Sequence, residues 1–347
     1  MPNPTIAAGY PKALLDFAVS KGADRQMLIE RSHICLDDLT DQDNRIPLAN
    51  YMALLKAGIE LCNEPALSLL FGEAVNLQDI SIVGLFGVAF DNVESVSQKV
   101  NRYAPLGLDA DDGTAEPVRF VRENGDVWMK FTTEIYKENP LLTESGFARN
   151  VCGARTLQAS LSASTPGIAK LQFPKAIRFT HAEPSYRAEY DRIFGVPLFF
   201  DSHMNGLMID EAFLNMKLPR TNPYLSEIMS ARAEELLKNL ERSKTTRGRV
   251  ENLLVPVLHT GEATVEMIAS KLGLSRQTLF RKLKAEGVTF EQVLDELRHQ
   301  LALYYLSGKK VSVSETAYLV GFSEPGAFSR AFKRWTGSSP RMARLKY

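Results

Sequence analysis

The chain lacks the features that would tie it to a membrane, a disulfide scaffold or a common catalytic motif. Its longest apolar stretch, residues 82–90, is far below the roughly 20 residues that span a bilayer. No basic N-terminal segment leads into an apolar signal core, so a cytoplasmic protein without a membrane partner is expected. Cysteine is scarce. Cys35, Cys62 and Cys152 lie far apart with no CxxC pair, which argues against a disulfide framework or a zinc site and for reduced thiols. His181, Glu183 and His203 are of competent ligand types, but their spacing matches no closed metal site; His181 reads instead as a turn residue with a local hydrogen bond, and no metal is expected. A GxSxG elbow, a P-loop, a GxGxxG loop and a carboxylate spacing suited to acid/base work are all missing. No catalytic residue, no cofactor and no enzymatic activity are expected.

Net charge is missing too, but only by cancellation. Residues 245–347 carry 16 Lys and Arg against 9 Asp and Glu, a net of +7, whereas the 244 residues before them carry 25 against 32, a net of −7. A basic C-terminal module joined to an acidic partner fits a nucleic-acid-binding domain attached to one with another task. At 347 residues the chain is long enough for two domains with separate cores. The polar, basic run Ser243-Lys244-Thr245-Thr246-Arg247-Gly248 reads as a linker between domains at 1–242 and 249–347.

The basic part contains one pattern written twice. Thr264-Val265, Ala269 and Gly273-Leu274-Ser275 recur as Ser312-Val313, Ala317 and Gly321-Phe322-Ser323. In each copy a small residue lets a second helix cross closely, a glycine suits the left-handed position that ends a helix, and a serine is expected to cap the next helix. The offset is 48 positions up to that serine and 49 beyond it, pairing Leu279 with Phe328, Arg281 with Arg330, Leu283 with Phe332 and Lys284 with Lys333. Two helices joined by a short glycine turn form the unit whose second member enters the DNA major groove. Two such units, at about 264–286 and 312–336, are expected in an all-α domain. Between them Thr289 and Gln292 make a capping box that opens an apolar helix through Leu294, Leu297, Leu301, Tyr304 and Leu306, ending at Gly308. A rigid spacer of this kind would set both recognition helices in successive major grooves, about 34 Å apart.

On the first recognition helix Leu279 and Leu283 point inward, while Gln277, Arg281 and Lys284 fall on the opposite face with Arg276 nearby and Ser275 at the cap. Gln277 suits adenine, Arg276 or Arg281 suits guanine in bidentate fashion, and Lys282 and Lys284 suit phosphates. The second helix buries Phe328 and Phe332 and presents Glu324, Gly326, Ser329, Arg330 and Lys333, with Ser338 in the turn that follows. It is poorer in base-reading groups, so Arg330, Lys333 and Arg334 are expected to position phosphates. Pro325 is tolerated in the first turn, where its missing amide has no partner. A lone charged helix face is usually just a solvated one. Repetition of the caps, glycines and buried pairs is what directs the reading to double-stranded DNA.

Ahead of this module, residues 1 to about 105 read as helical, with Leu14, Leu15 and Ala18, then Tyr51, Leu54, Leu55 and Ile59, at helical spacing. A β-hairpin is expected at 118–121 and 127–131 around Glu123-Asn124-Gly125-Asp126. A helix at about 140–162 and short strands at 171–173, 176–180 and 197–200 make this an α+β domain. Phe194, Phe199, Phe200, Met204, Met208 and Phe213 either line an apolar pocket or fill the core. An amphipathic helix over 223–242 places Leu225, Ile228, Met229, Leu236, Leu237 and Leu240 on one side, for its own domain or for a dimer contact.

The run Ser275-Arg276-Gln277-Thr278-Leu279-Phe280-Arg281-Lys282-Leu283-Lys284, with Gly321-Phe322-Ser323-Glu324 and Phe328-Ser329-Arg330-Ala331-Phe332-Lys333-Arg334-Trp335-Thr336-Gly337-Ser338-Ser339-Pro340, resembles the AraC/XylS family of bacterial transcriptional regulators over roughly residues 250–345. The N-terminal part begins helical and has too few regular strands for the cupin-type sugar-binding domain of the arabinose regulator. It is similar to the subgroup typified by the ornithine-utilisation regulator, through Phe179-Thr180-His181-Ala182-Glu183-Pro184, residues 190–197 and Leu218-Pro219. The resemblance implies a homodimeric transcription regulator, an activator that also represses some promoters, which contacts RNA polymerase from promoter DNA. Its N-terminal domain would sense a small-molecule effector or dimerise. Alternatives are a dimeric regulator without an effector and, less favoured, an enzyme fused to a DNA-binding module.

Overall fold

Strands too brief to show as alternation in the sequence join the first helices together. In the computed structural model β1 (Thr5–Ala7), β2 (Arg45–Pro47) and β3 (Leu108–Asp109) form an antiparallel sheet in the order β2-β1-β3. Residues 4–85, 93–110, 112–114, 116–161, 172–214, 223–307 and 311–346 are described. They divide into two units, Met1–Leu237 and Lys238–Tyr347. In the first, the helices Gly9–Ser20, Leu48–Cys62 and Leu67–Ala74 surround Leu14, Leu15, Tyr51, Leu54 and Leu55, at the spacing expected of them, together with Phe71.

A second sheet runs in the order β4-β5-β8-β6-β7, with β4 (Val118–Glu123), β5 (Asp126–Phe131), β6 (Ala176–Arg178), β7 (Leu198–Phe199) and β8 (Asn205–Ile209). The expected hairpin is present and extends by two residues on its first strand, Glu123 pairing with Asp126 across Asn124 and Gly125. Both turn residues take positive φ, 53° and 88°, the geometry that matches strand twist in a two-residue turn. The helix Pro140–Leu161 serves two cores. Leu142 belongs to the helical one, and Phe147 and Val151 to one shared with Phe131, Phe179, Tyr190 and Leu207. The N-terminal unit is thus α+β.

Several expectations are corrected here. Residues 172–173 form no strand, and Leu171 lies outside the described residues. The strand β8 was not anticipated; it is only five residues long and begins with asparagine and glycine, both depleted in strands. Asn205 is buried and its Oδ1 accepts from the Thr180 amide at 2.9 Å, while Gly206 fits beside Met129 and Trp128, which a Cβ would approach to 3.4 and 3.5 Å. Phe194 and Met204 are fully buried core residues and Phe199 is half exposed at its strand edge; the Phe213 side chain and Leu218-Pro219 lie outside the described residues. The helix Pro223–Lys244 turns Ala233 and Leu240 inward and leaves Leu225 and Ile228 exposed, so its buried stripe is rotated from the one read in the sequence. Residues 243–248, read as a linker, are mostly helical. One helix ends at Lys244, Thr245 caps the next by accepting from the Gly248 amide, and Thr246–Leu254 follows.

The C-terminal unit has helices and turns but no strand among its described residues. Val265–Lys271 and Arg276–Ala285 pack on Thr246–Leu254 and the first half of Phe290–Ser307 around Val250, Ile268, Leu279, Leu283 and Val293. Val313–Leu319, Pro325–Thr336 and Pro340–Lys346 pack on the second half around Leu258, Ala302, Leu306, Ala317, Phe328 and Phe332. The spacer helix therefore contributes to two cores in turn; Gly308, expected to end it, lies outside the described residues.

Candidate nucleic-acid interface

Each helix-turn-helix unit is assembled from the local signals written in its sequence. Thr264 caps the first helix through the Met267 amide, and Ser275 caps the second through the Thr278 amide at 3.1 Å. Gly273 and Gly321 take φ of 65° and 80°, the left-handed conformation that turns one helix into the next. Ala269 and Ala317 are buried at the helix crossings, and the pairs Leu279/Leu283 and Phe328/Phe332 are fully buried. The two expected capping boxes form, Thr289 with Gln292 and Ser312 with Glu315.

One cap differs. The second recognition helix starts at Pro325 with Glu324 as its N-cap and no capping side chain, so Ser323 stands one position too early. Proline at the first helical position forces the preceding residue to be extended, and Glu324 has φ −135° and ψ 131°. The extra residue in the second copy thus shifts the helix start.

With the apolar pairs inward, Gln277, Arg281 and Lys284 share the solvent face of the first recognition helix, and Ser275, Arg276 and Lys282 are also exposed. On the second, Glu324, Arg330 and Lys333 are exposed, Ser329 is half-buried, and Gly326 adjoins Arg330, whose Nη1 lies 3.7 Å from a Cβ built on that glycine. Gln277, Arg281, Lys282, Lys284, Arg330 and Lys333 make no ion pair or hydrogen bond through their side chains among the described residues. Two other cations are engaged. Arg276 pairs with Glu266 at 2.8 Å and lies over the Phe280 ring, and Arg334 pairs with Asp295 at 2.7 Å. Ser338 is half-buried in the closing turn, its amide donating to Thr336 Oγ1.

Two residues that sequence reasoning passed over hold the second unit to the spacer helix. Arg298 donates from Nε to the Val320 carbonyl at 3.1 Å and from Nη2 to the Gly321 carbonyl at 3.3 Å, and stacks on Phe322. Burial lowers its guanidinium pKa. Asp295 accepts from both Arg334 and the Trp335 indole. In the first unit Glu286 does similar work. It accepts the backbone amides of Thr246 and Arg247, and although burial works to raise its carboxyl, those bonds hold it below the usual carboxylate range. On an otherwise apolar helix, a charged residue reads as a solvated one, so the sequence carried little signal for these roles.

In the N-terminal unit the ligand types considered for a metal do not converge. His181 Nδ1 lies 2.9 Å from the Ala182 carbonyl, Glu183 pairs with Arg187, and His203 pairs with Glu123. Among the described residues no group of three His, Cys, Asp or Glu is placed to hold a metal ion, and no helix is long and apolar enough to cross a membrane.

Residues 22–218 match the model of the arabinose-binding domain of the AraC transcription regulator, N-terminal, and residues 268–346 match a helix-turn-helix domain. The chain belongs to the AraC family of transcription regulators. As an AraC-family regulator it binds DNA through its helix-turn-helix domain and carries an N-terminal domain of the ligand-binding type. It is 28% identical to the ornithine utilization regulator of Pseudomonas aeruginosa over 338 residues, covering 96% of this chain and 95% of that one. It is 29% identical to the regulator VirS of Mycobacterium tuberculosis over 170 residues, 49% of each chain. The crystal structure of the transcriptional regulator CdpR from Pseudomonas aeruginosa aligns over 85% of this chain and 91% of its own, at 22% identity and a TM-score of 0.38. The family's members are transcription regulators, as the relatives' names say.

Proposed function

We propose that this AraC-family chain works as a cytoplasmic homodimer that activates transcription, and represses at some promoters, under control of a small molecule bound by its N-terminal domain. The observation that carries the DNA side of this reading is the solvent face of each recognition helix, where Arg281, Lys284, Arg330 and Lys333 make no ion pair among the described residues and stand over fully buried apolar pairs. On the first helix Gln277 and Arg281 would read base edges, and Ser275, Arg276, Lys282 and Lys284 would engage phosphate or flanking bases. On the second, Arg330 and Lys333 would grip phosphate, with Glu324, Ser329 and Ser338 beside them and Arg334 available on exchanging its partner Asp295. Shared packing on one spacer helix supports insertion of both helices into successive major grooves. Residues 1–242 would sense and dimerise, 243–248 would join them, and 249–347 would bind DNA and meet RNA polymerase.

Transcription in vitro from a promoter carrying the protein's own binding site tests the proposal. Added protein should raise transcript yield by purified RNA polymerase, and Arg281→Ala should abolish the rise. Unchanged or reduced yield with wild-type protein at every site position, with or without cell-extract metabolites, would refute activation.

A further inference from the structure

In the helical half of the N-terminal unit an arginine lies close to three tyrosines. Arg149, on the helix Pro140–Leu161, holds its guanidinium 5.1 Å from the centroid of the Tyr10 ring, and its Nη1 is buried with no hydrogen-bond partner among the described residues. Tyr10 comes from Gly9–Ser20, Tyr51 from Leu48–Cys62 and Tyr136 from Glu134–Glu138. Tyr51 is 2% exposed, yet no hydrogen bond from its hydroxyl, or from those of Tyr10 and Tyr136, is found among the described residues. The groups that act electrostatically on Tyr51 are Arg149, Tyr10 and Tyr136, and those acting on Tyr136 are Tyr10 and Arg149; no carboxylate appears beside either. Burial pushes the Tyr136 hydroxyl up to about 12 and Tyr51 higher still, so both keep their protons and remain donors at neutral pH.

Buried polar groups ordinarily find a partner, and an unpartnered guanidinium nitrogen calls for an acceptor, best a charged one. A guanidinium with an unpartnered nitrogen, beside three hydroxyls from three other elements that can each donate, suits an anion. We propose that Arg149, Tyr10, Tyr51 and Tyr136 bind the carboxylate of a small organic acid, and that this acid is the effector. One cationic fork matches the charge and planar geometry of a carboxylate better than a phosphate dianion. Tyr10 and Tyr51 belong to the same apolar cluster as Leu14 and Leu54, so the group they would hold is flanked by hydrocarbon. Gly107 leaves room for the Tyr10 hydroxyl, which a Cβ there would approach to 3.1 Å. This inference rests on the reading that the N-terminal domain senses a small molecule.

Thermal denaturation and titration calorimetry of the full-length protein test it, with straight-chain acids from acetate to decanoate, benzoate, phenylpropionate and the common amino acids, each beside its primary amide. Acids should raise the melting temperature where their amides do not, because a ligand that binds only the folded state stabilises it. Arg149→Gln should weaken the best acid at least tenfold and Tyr51→Phe at least threefold, while Arg149→Lys retains part of the affinity. Should Arg149→Gln fail to fold, Tyr51→Phe and Arg149→Lys carry the comparison. Equal shifts by acid and amide, or full affinity in Arg149→Gln, would overturn the site and leave sensing intact. The absence of any shift by the acids also overturns it; a shift by neutral or cationic metabolites would then keep sensing, and none at all would remove both.

Discussion

A Cβ placed on Gly321 would lie 2.2 Å from the carbonyl oxygen of Leu258. Gly321 thus meets two demands at once, a φ of 80° and a backbone contact with no room for a side chain, whereas Gly273 has φ 65° and nothing within 4 Å. Gly321→Ala is expected to destabilise the C-terminal unit by about 3 kcal/mol or more, and Gly273→Ala by about 1 to 2 kcal/mol, the cost of left-handed strain alone. Urea denaturation followed by circular dichroism checks the order; equal losses would mean the Leu258 contact yields freely.

The shifted cap gives a second comparison. Ser275 and Ser312 each accept a backbone amide, while Ser323 lies outside the helix that Pro325 begins. Ser275→Ala and Ser312→Ala should each cost about 1 kcal/mol, and Ser323→Ala less than about 0.5 kcal/mol. A loss at Ser323 as large as at Ser275 would restore it as a cap.

The two recognition faces are expected to differ in kind. Arg281→Ala should cost about 1 to 3 kcal/mol on the preferred site and relax preference at one base pair. Lys333→Ala should weaken all sequences alike and reduce the slope of log affinity against log salt by about 0.9. Competition binding over a salt series separates the two, and identical behaviour would contradict the division.

Glu144 predicts a dependence on pH. It is 1% exposed, its Oε2 accepts from the hydroxyls of Tyr190 at 2.5 Å and Tyr186 at 3.0 Å, and its Oε1 has no partner among the described residues. Burial outweighs those two bonds and pushes the carboxyl from 4.5 up to about 7. The folded chain therefore holds this proton more tightly than the unfolded chain, so the contribution of Glu144 to stability is fully present below about 4.5 and is lost as pH rises between about 4.5 and 7. The loss is on the order of 3 kcal/mol. Glu144→Gln should flatten this part of the profile and be more stable than wild type at pH 8. Parallel wild-type and variant curves from pH 4.5 to 8 would show that Glu144 titrates normally.

How much was legible depended on whether the signal was local. Glycine turns, threonine and serine caps, the Asn124-Gly125 hairpin and the buried pair at 279 and 283 each involve residues within four positions, and the structure places them as read. The strand β8 and the pairing of β1 with β2 and β3 are set by partners tens of residues away and by strands of two to five residues, too short for periodicity to register. The same distance concealed Arg298 and Asp295, whose partners lie 22 to 40 residues along the chain. Ser323 misled because one inserted residue and a proline changed the helix start without disturbing the motif.

Selection of preferred sites from random duplex DNA by the full-length protein tests the central claim most directly. A motif of two half-sites, lost when Gln277 and Arg281 are replaced by alanine, is the predicted result. Recovery of no motif, or of one unchanged in that double variant, would contradict sequence reading by the first recognition helix.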